Sequence, residues 1–217
     1  YVIEFAVIVL GISVSFWFDK YQKSLDNIDR EKEVLSELST ELEVIENTVK
    51  NRDSVFRFDK ENLIRIIDGN LENISFTYNE LLIASIDYRG FSPSEEIYTS
   101  LKYDGGLKFI RNSNIKVAIE SFYNGTKYGV LANIKVEIVV QREILKYIQY
   151  NHPQVLIKIS KMKISEFEKI KLFTNIVQKD STLNSLLVSK LRFMNSKLIF
   201  LQRYKSSLSM LKDLITT

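Results

Sequence analysis

Residues 28–56 read IDREKEVLSELSTELEVIENTVKNRDSVF, and the fold turns on how this stretch is read. Ile28, Leu35, Leu42, Val49 and Phe56 recur every seven residues, Leu63 extends the series, and Leu38, Ile45 and Ile66 fill companion positions three residues later. Apolar residues at this period form one stripe along a helix, which must be buried against something. Three further companion positions, Glu31, Arg52 and Asp59, are charged, which would interrupt an isolated two-stranded zipper. A helix packed inside one subunit could instead turn them to solvent, so intramolecular packing is expected. Glu31, Glu33, Glu37, Glu41, Glu43 and Glu46 are read together as a solvated face.

Upstream, Val2 to Phe18 reads VIEFAVIVLGISVSFWF, with Glu4 its one charge. At about 1.5 Å per residue the run would span roughly 25 Å as a helix, a little short of a bilayer core of roughly 30 Å that a few more apolar residues would complete. The chain opens on Tyr rather than Met, so further residues are expected upstream. Trp17, Phe18 and Tyr21, followed by Lys20 and Lys23, resemble an aromatic belt with flanking cations at a membrane surface. Residues 1–18 are therefore expected to be a transmembrane anchor, against a signal-peptide core or a buried helix as alternatives. Glu4 reads either as an intramembrane carboxylate or as a group near one interface. Gly11 and Ser13 offer small surfaces for helix packing in lipid.

Between Gly11 and Gly69 there is no glycine and no proline, so one helix can run from the anchor through a stalk at 19–68. Gly69-Asn70 ends it. The middle section, 70–153, holds a capping-box spacing at Thr77 and Glu80, and a second start at Ser92, Pro93 and Glu95. Asp104-Gly105-Gly106 is a stop. A long helix is predicted from Ser113-Asn114 toward Tyr150, with Gly125 and Gly129 able to bend it and Asn151-His152-Pro153 breaking it. Val130 to Val140 is rich in Val and Ile, which leaves a strand open there. In the C-terminal section, 154–217, Ser165 and Glu168 are a capping pair and Asp180-Ser181 opens the last helix. Leu187, Met194, Leu201, Leu208 and Ile215 form a second seam, supported by Leu191, Leu198, Tyr204 and Leu211.

Composition agrees with an all-α fold: 217 residues hold only seven glycines and two prolines. The body, 19–217, is expected to be a bundle in which the first and last long helices lie side by side. A net charge of +3, spread along the chain, gives no footprint for nucleic acid. With no cysteine, zinc-thiolate sites and thiol nucleophiles are excluded, and with one histidine, histidine-based metal sites and triads are not expected in one subunit. No catalytic residue, cofactor-binding residue or metal ligand is nominated. His152 reads as a turn residue and Gly105-Gly106 as a turn without phosphate-loop spacing. Asn73-Ile74-Ser75 and Asn124-Gly125-Thr126 match the glycosylation pattern and are discounted as chance matches. Phe91, Tyr98, Tyr103, Phe109, Phe122 and Tyr123 are expected to pack in the core, with a ligand or partner groove as the alternative.

Glu4, the run Val7 to Leu10, Gly11-Ile12, Trp17 and the charged stretch from Lys20 resemble the opening of an uncharacterised Gram-negative bacterial family, known only as a domain of unknown function. Tyr98-Thr-Ser-Leu101, Gly105-Gly-Leu107, Ile110 and Phe122-Tyr123 are similar to its middle section. The resemblance implies a single-pass inner-membrane protein with a helical body in the periplasm, and supplies no activity. Lys20, Lys23, Arg30 and Lys32 would by themselves favour a cytoplasmic body if the upstream segment carries fewer cations. Expected partners are membrane lipid, further copies of the chain, or other envelope proteins. Three function classes follow: a non-enzymatic scaffold or accessory subunit, a helical sensor or ligand-binding module, and an oligomeric channel or ion-coupled component that uses Glu4.

Overall fold

A computed structural model describes residues 2–216, with the side chains of residues 2 and 4–6 outside the description. The first helix, α1 (Val2–Asp68), runs unbroken for 67 residues, about 100 Å at about 1.5 Å per residue. It stops at Gly69, whose φ of 69° is the left-handed conformation that glycine adopts freely. There the Gly69 and Asn70 amides donate back to the carbonyls of Ile66 and Arg65.

Two short helices follow. In α2 (Tyr78–Ile86) the capping box forms: Thr77 Oγ1 accepts from Glu80 N and Thr77 N donates to Glu80 Oε2. In α3 (Glu96–Tyr103) the expected start at Ser92-Pro93 is overturned, because the helix begins three residues after Pro93 and Glu95 makes no cap bond. The physical reason lies elsewhere in the chain. Glu41 of α1 accepts from the backbone amides of Ile97 and Tyr98 at 2.7 and 3.1 Å, so a distant carboxylate caps α3.

A 3-10 turn, Gly106–Phe109, leads to α4 (Ser113–Ser121), capped by the Asn112 side chain. A π-helical turn, Phe122–Thr126, joins α4 directly to α5 (Lys127–Asn151). Residues 130–140 are helical, and the described residues contain no strand. Gly129 serves close approach rather than bending, since a Cβ there would come within 2.2 Å of Phe200 Cδ1 on the last helix. His152 ends α5, and α6 (Pro153–Ile157) starts on proline. After the 3-10 turn Ile159–Lys161 come α7 (Glu166–Lys179), with its Ser165/Glu168 capping box, and α8 (Ser181–Thr216).

The protein is thus all-helical, with α8 packed against both α1 and α5 and the shorter elements around them. Its core is in two clusters. One joins Leu38, Leu42, Ile45, Val49 and Phe56 of α1 to Leu201, Tyr204 and Leu208 of α8 and the aromatics Phe91, Tyr98, Phe122 and Tyr123. The other joins Leu63 and Ile66 to Leu187 and Met194, with Phe173 and Val177 of α7. Of the nominated seam residues, Leu42, Val49, Phe56, Leu63, Leu187, Met194, Leu201 and Leu208 are buried, while Ile28 and Leu35 are half-buried.

The expectation that the charged companion positions face solvent is overturned for Glu31 and Asp59, which are buried, as is Glu41 from the face read as solvated. Each meets a donor from another element, which makes burial of the carboxylate tolerable. Arg52 is half-buried.

Leu42 is fully buried beside such a tie, so Leu42→Asp would place an unpaired charge in the core. Loss of about 3 kcal/mol or more is expected, measured by urea denaturation followed by circular dichroism. Unchanged stability would mean that this face of α1 is not packed.

Candidate functional site

The N-terminal part of α1, residues 7–27, stands apart from the body. From residue 7 to residue 27 every described position is exposed, and the first half-buried residue is Ile28. Val7, Ile8, Leu10, Ile12, Val14, Phe16, Trp17 and Phe18 lie 52–67% exposed, and they point in all directions around the helix. An apolar surface of this kind, without a partner, marks an interaction site. Its polar groups are already satisfied within the helix: Ser13 Oγ donates to the Val9 carbonyl at 2.8 Å and Ser15 Oγ to that of Gly11 at 2.9 Å. This satisfaction is what an apolar medium demands of a helix. Nothing lies within 4 Å of a Cβ built on Gly11. Trp17 and Tyr21, one turn apart, stack with ring centroids 5.8 Å apart, so the aromatic end forms one patch. The Glu4 side chain lies outside the described residues. Among the described residues no helix is long and apolar enough to cross a membrane. The run Val2 to Phe18 also draws on the side chains of residues 2 and 4–6, which are not among them.

Within the body a layer of buried charge separates the two apolar clusters. Asp59 and Asn62 lie on α1, Glu137 on α5 and Lys197 on α8, all buried, with Lys190 two turns before Lys197. Lys197 Nζ donates to Glu137 Oε2 at 2.5 Å with side chains 1% and 2% exposed, and lies 4.1 Å from the centre of the Phe56 ring. Asp59 accepts from Arg89 Nε at 2.9 Å and Nη2 at 3.4 Å. Lys190 donates to the carbonyl of Asp87, and Gln141 Nε2 to that of Ile86 at 2.6 Å, which ties the end of α2 to α8 and α5. Sequence reading missed this layer. Lys190 and Lys197 sit three residues after Leu187 and Met194, and Glu137 is the acid within Val130 to Val140, so the signal was charge inside an apolar pattern.

The nominated aromatics divide. Phe91, Tyr98, Phe122 and Tyr123 are buried, Phe109 is half-buried and Tyr103 is exposed. Tyr98 and Tyr123 stack with centroids 4.1 Å apart and planes 4° from parallel, and Tyr123 Oη donates to Glu41 at 2.6 Å. Burial and that bond push the Tyr123 phenol well above the ordinary range. Phe91, Tyr98, Phe122 and Tyr123 pack on one another and on Tyr204, whereas Phe109 and Tyr103 each line a shallow surface hollow. Glu31 accepts from the Arg111 amide and from Arg111 Nε, both at 2.6 Å. Donation from that amide, against the opposing effect of burial, holds the Glu31 carboxyl below its ordinary value. Glu46, bonded by Lys212 and then Lys50, is held down at about 2.

His152 is more than a turn residue, since its Nε2 lies 2.6 Å from Asp180 Oδ2. No group of three or more His, Asp or Glu among the described residues could hold a metal ion. The chain matches no protein-family model, no curated protein and no solved structure.

Two tests address the charge layer. Lys197→Met alone strands the Glu137 carboxylate and should cost about 3–5 kcal/mol, whereas Glu137→Leu with Lys197→Met should fall within about 1 kcal/mol of the wild type or above it. Urea denaturation of the three proteins measures this, and equal loss in the single and double variants would refute the pairing. Lys190 answers to pH. Burial, opposed by the attraction of Glu137, pushes its ammonium down to about 8 from the ordinary 10.5. Between those values the unfolded chain binds more protons than the folded one, so stability should rise with pH. Comparing denaturation midpoints at about pH 7.5 and about pH 9.5 should show the rise in the wild type and its loss in Lys190→Met.

Proposed function

We propose that the protein is a membrane-anchored, non-enzymatic scaffold or accessory subunit of a cell-envelope complex. The observation that carries this reading is the unpartnered segment of α1, apolar on every face from residue 7 to Phe18 and free of contact with the body. Lipid is the partner that suits such a surface, because it accepts a helix all round and asks for no complementary shape. Trp17, Phe18 and Tyr21, with Lys20 and Lys23 beyond them, suit the interface where the helix would leave the bilayer.

The continuous α1 would then hold the bundle close to the membrane at one end and away from it at the other. The body's surface would be the part that meets further copies or other envelope proteins. Placement in a bacterial inner membrane with the body in the periplasm rests on the resemblance of the opening residues and of Tyr98 to Tyr123. The seam along α1 and α8 is proposed to act within one subunit, as the burial of Leu42, Val49, Leu201 and Leu208 against one another's cluster supports.

Alkaline carbonate washing of membranes should leave the protein in the pellet, and mild detergent should release it. Val9→Arg with Ile12→Arg adds about 2.5–3.5 kcal/mol per charge at the middle of the segment and should move the protein to the soluble fraction. Release of the wild type by carbonate would overturn the anchor. Light scattering and mass spectrometry of the detergent extract would separate self-assembly from assembly with foreign subunits.

A further inference from the structure

An open cavity of about 890 Å³ lies between the α6 region, α7 and the start of α8, within the range of roughly 300–1,000 Å³ typical of small-ligand sites. It belongs to the end of the body remote from the projecting segment. Gln178 of α7 donates its Nε2 to the carbonyls of Ile66 and Ile67 on the last turn of α1, roughly 57 Å along the helix from Ile28.

The floor of the cavity is apolar, made by Ile159, Met162, Leu172 and Ile176. Met162 and Leu172 are 41% and 38% exposed, which is free apolar surface inside a concavity. Lys158 and Lys179 line it as well, both exposed and, among the described residues, without an ion-pair partner. The carboxylate in the lining is already committed: Asp180 accepts from Tyr147 Oη at 2.9 Å and from the amides of Thr182 and Leu183 at 3.0 Å, besides its contact with His152. It therefore does not answer the two lysines.

Apolar floor, two unanswered cations and a saturated carboxylate together describe the complement of one kind of ligand. We propose that this cavity binds a small amphipathic organic anion, with a medium-chain carboxylate as its simplest form. The chain would lie on Ile159, Met162, Leu172 and Ile176, and the carboxylate would meet Lys158 and Lys179. A neutral apolar molecule would leave both lysines unanswered, and a short polar anion would leave the floor wet. Binding bridges α7 to the segment before it, so the ligand also stabilises the folded body.

His152 is the chain's only histidine and lines the cavity, so its imidazole resonances report this place alone. The experiment is a titration of the full chain in zwitterionic lipid nanodiscs with sodium decanoate, followed by NMR of the histidine ring, with acetate and decanol as companions. Decanoate should shift the His152 signals saturably, and the two companions should need much higher concentrations. Lys158→Glu with Lys179→Glu should weaken decanoate about tenfold or more. Both positions are exposed, so an unaltered helical spectrum is expected. Leu172→Glu tests the floor independently and should weaken decanoate too. An unmoved His152 signal, or equal affinity in both variants, would overturn the proposal. An equal response to acetate would reduce the site to its charge, and an equal response to decanol to its apolarity, and either would also overturn it.

Discussion

The ion pair between Lys197 and Glu137 governs how the three long helices meet. Two charges closed off from solvent lose hydration worth several kcal/mol each, and they recover it only where their geometry is held. That requirement fixes α8 against α5 at one register. Phe56 of α1 presents its ring face to the same ammonium, so α1 is drawn into the constraint. A pure apolar seam tolerates sliding by a turn, because one aliphatic side chain replaces another. With the pair in place, a slip of α8 by seven residues would put Lys190 where Lys197 now stands and leave Asp87's carbonyl without its donor. The two apolar clusters on either side are thereby kept distinct.

Carboxylates on α1 repeat the device at the periphery. Glu31 holds the segment before α4 through Arg111, Glu41 holds the N-terminus of α3 and the Tyr123 hydroxyl, and Glu46 holds Lys212 of α8. Asp59 holds Arg89 after α2. The short elements cannot bury enough apolar area to fix themselves, and α3 has no side-chain cap of its own. A single long helix studded with acids supplies both wall and ties. Toward the N-terminus these ties end at Glu31, Arg30 still lies over the Phe109 ring, and from Ile28 onward α1 leaves the body and becomes apolar all round by Phe18.

Much of this was legible in the chain itself. Glycine and proline placement gave the length of α1, local capping pairs marked α2 and α7, and Asp180 marked α8, because each signal acts within a few residues. Leu42, Val49 and Leu201 were found by period alone. What failed depended on partners distant in sequence. Glu31, Glu41 and Asp59 were assigned to solvent because charge is normally exposed, and nothing near them names Arg111, Tyr98 or Arg89, which lie 30–80 residues away. Ser92-Pro93 was preferred as a helix start because the true cap, Glu41, sits on another helix. The π turn at Phe122–Thr126 has no local signature beyond Gly125, and the Val- and Ile-rich run Val130 to Val140 leaves a strand open within a stretch predicted to be helical. His152 reads as a turn residue from its place before Pro153, and nothing near it in sequence names Asp180, the carboxylate it meets.

The proposed anchor and the proposed cavity sit at opposite ends of α1, and hydrogen bonds join the walls of the cavity to the end of α1 beside it. Asp180 caps α8, meets His152 at the end of α5, and receives Tyr147 Oη, while Gln178 fastens α7 to the last carbonyls of α1. A ligand that changed the packing of α7 would therefore act on the last turn of the same helix whose first turns are bare. Whether strain can pass further along α1 depends on the charge layer at Asp59, where Arg89 meets α1. That layer has few alternative arrangements, since every shift breaks a buried charge contact. Such a layer resists gradual deformation and yields, if at all, between discrete packings. In this architecture the buried pair that aligns the bundle is also the element that would decide whether its two ends are coupled.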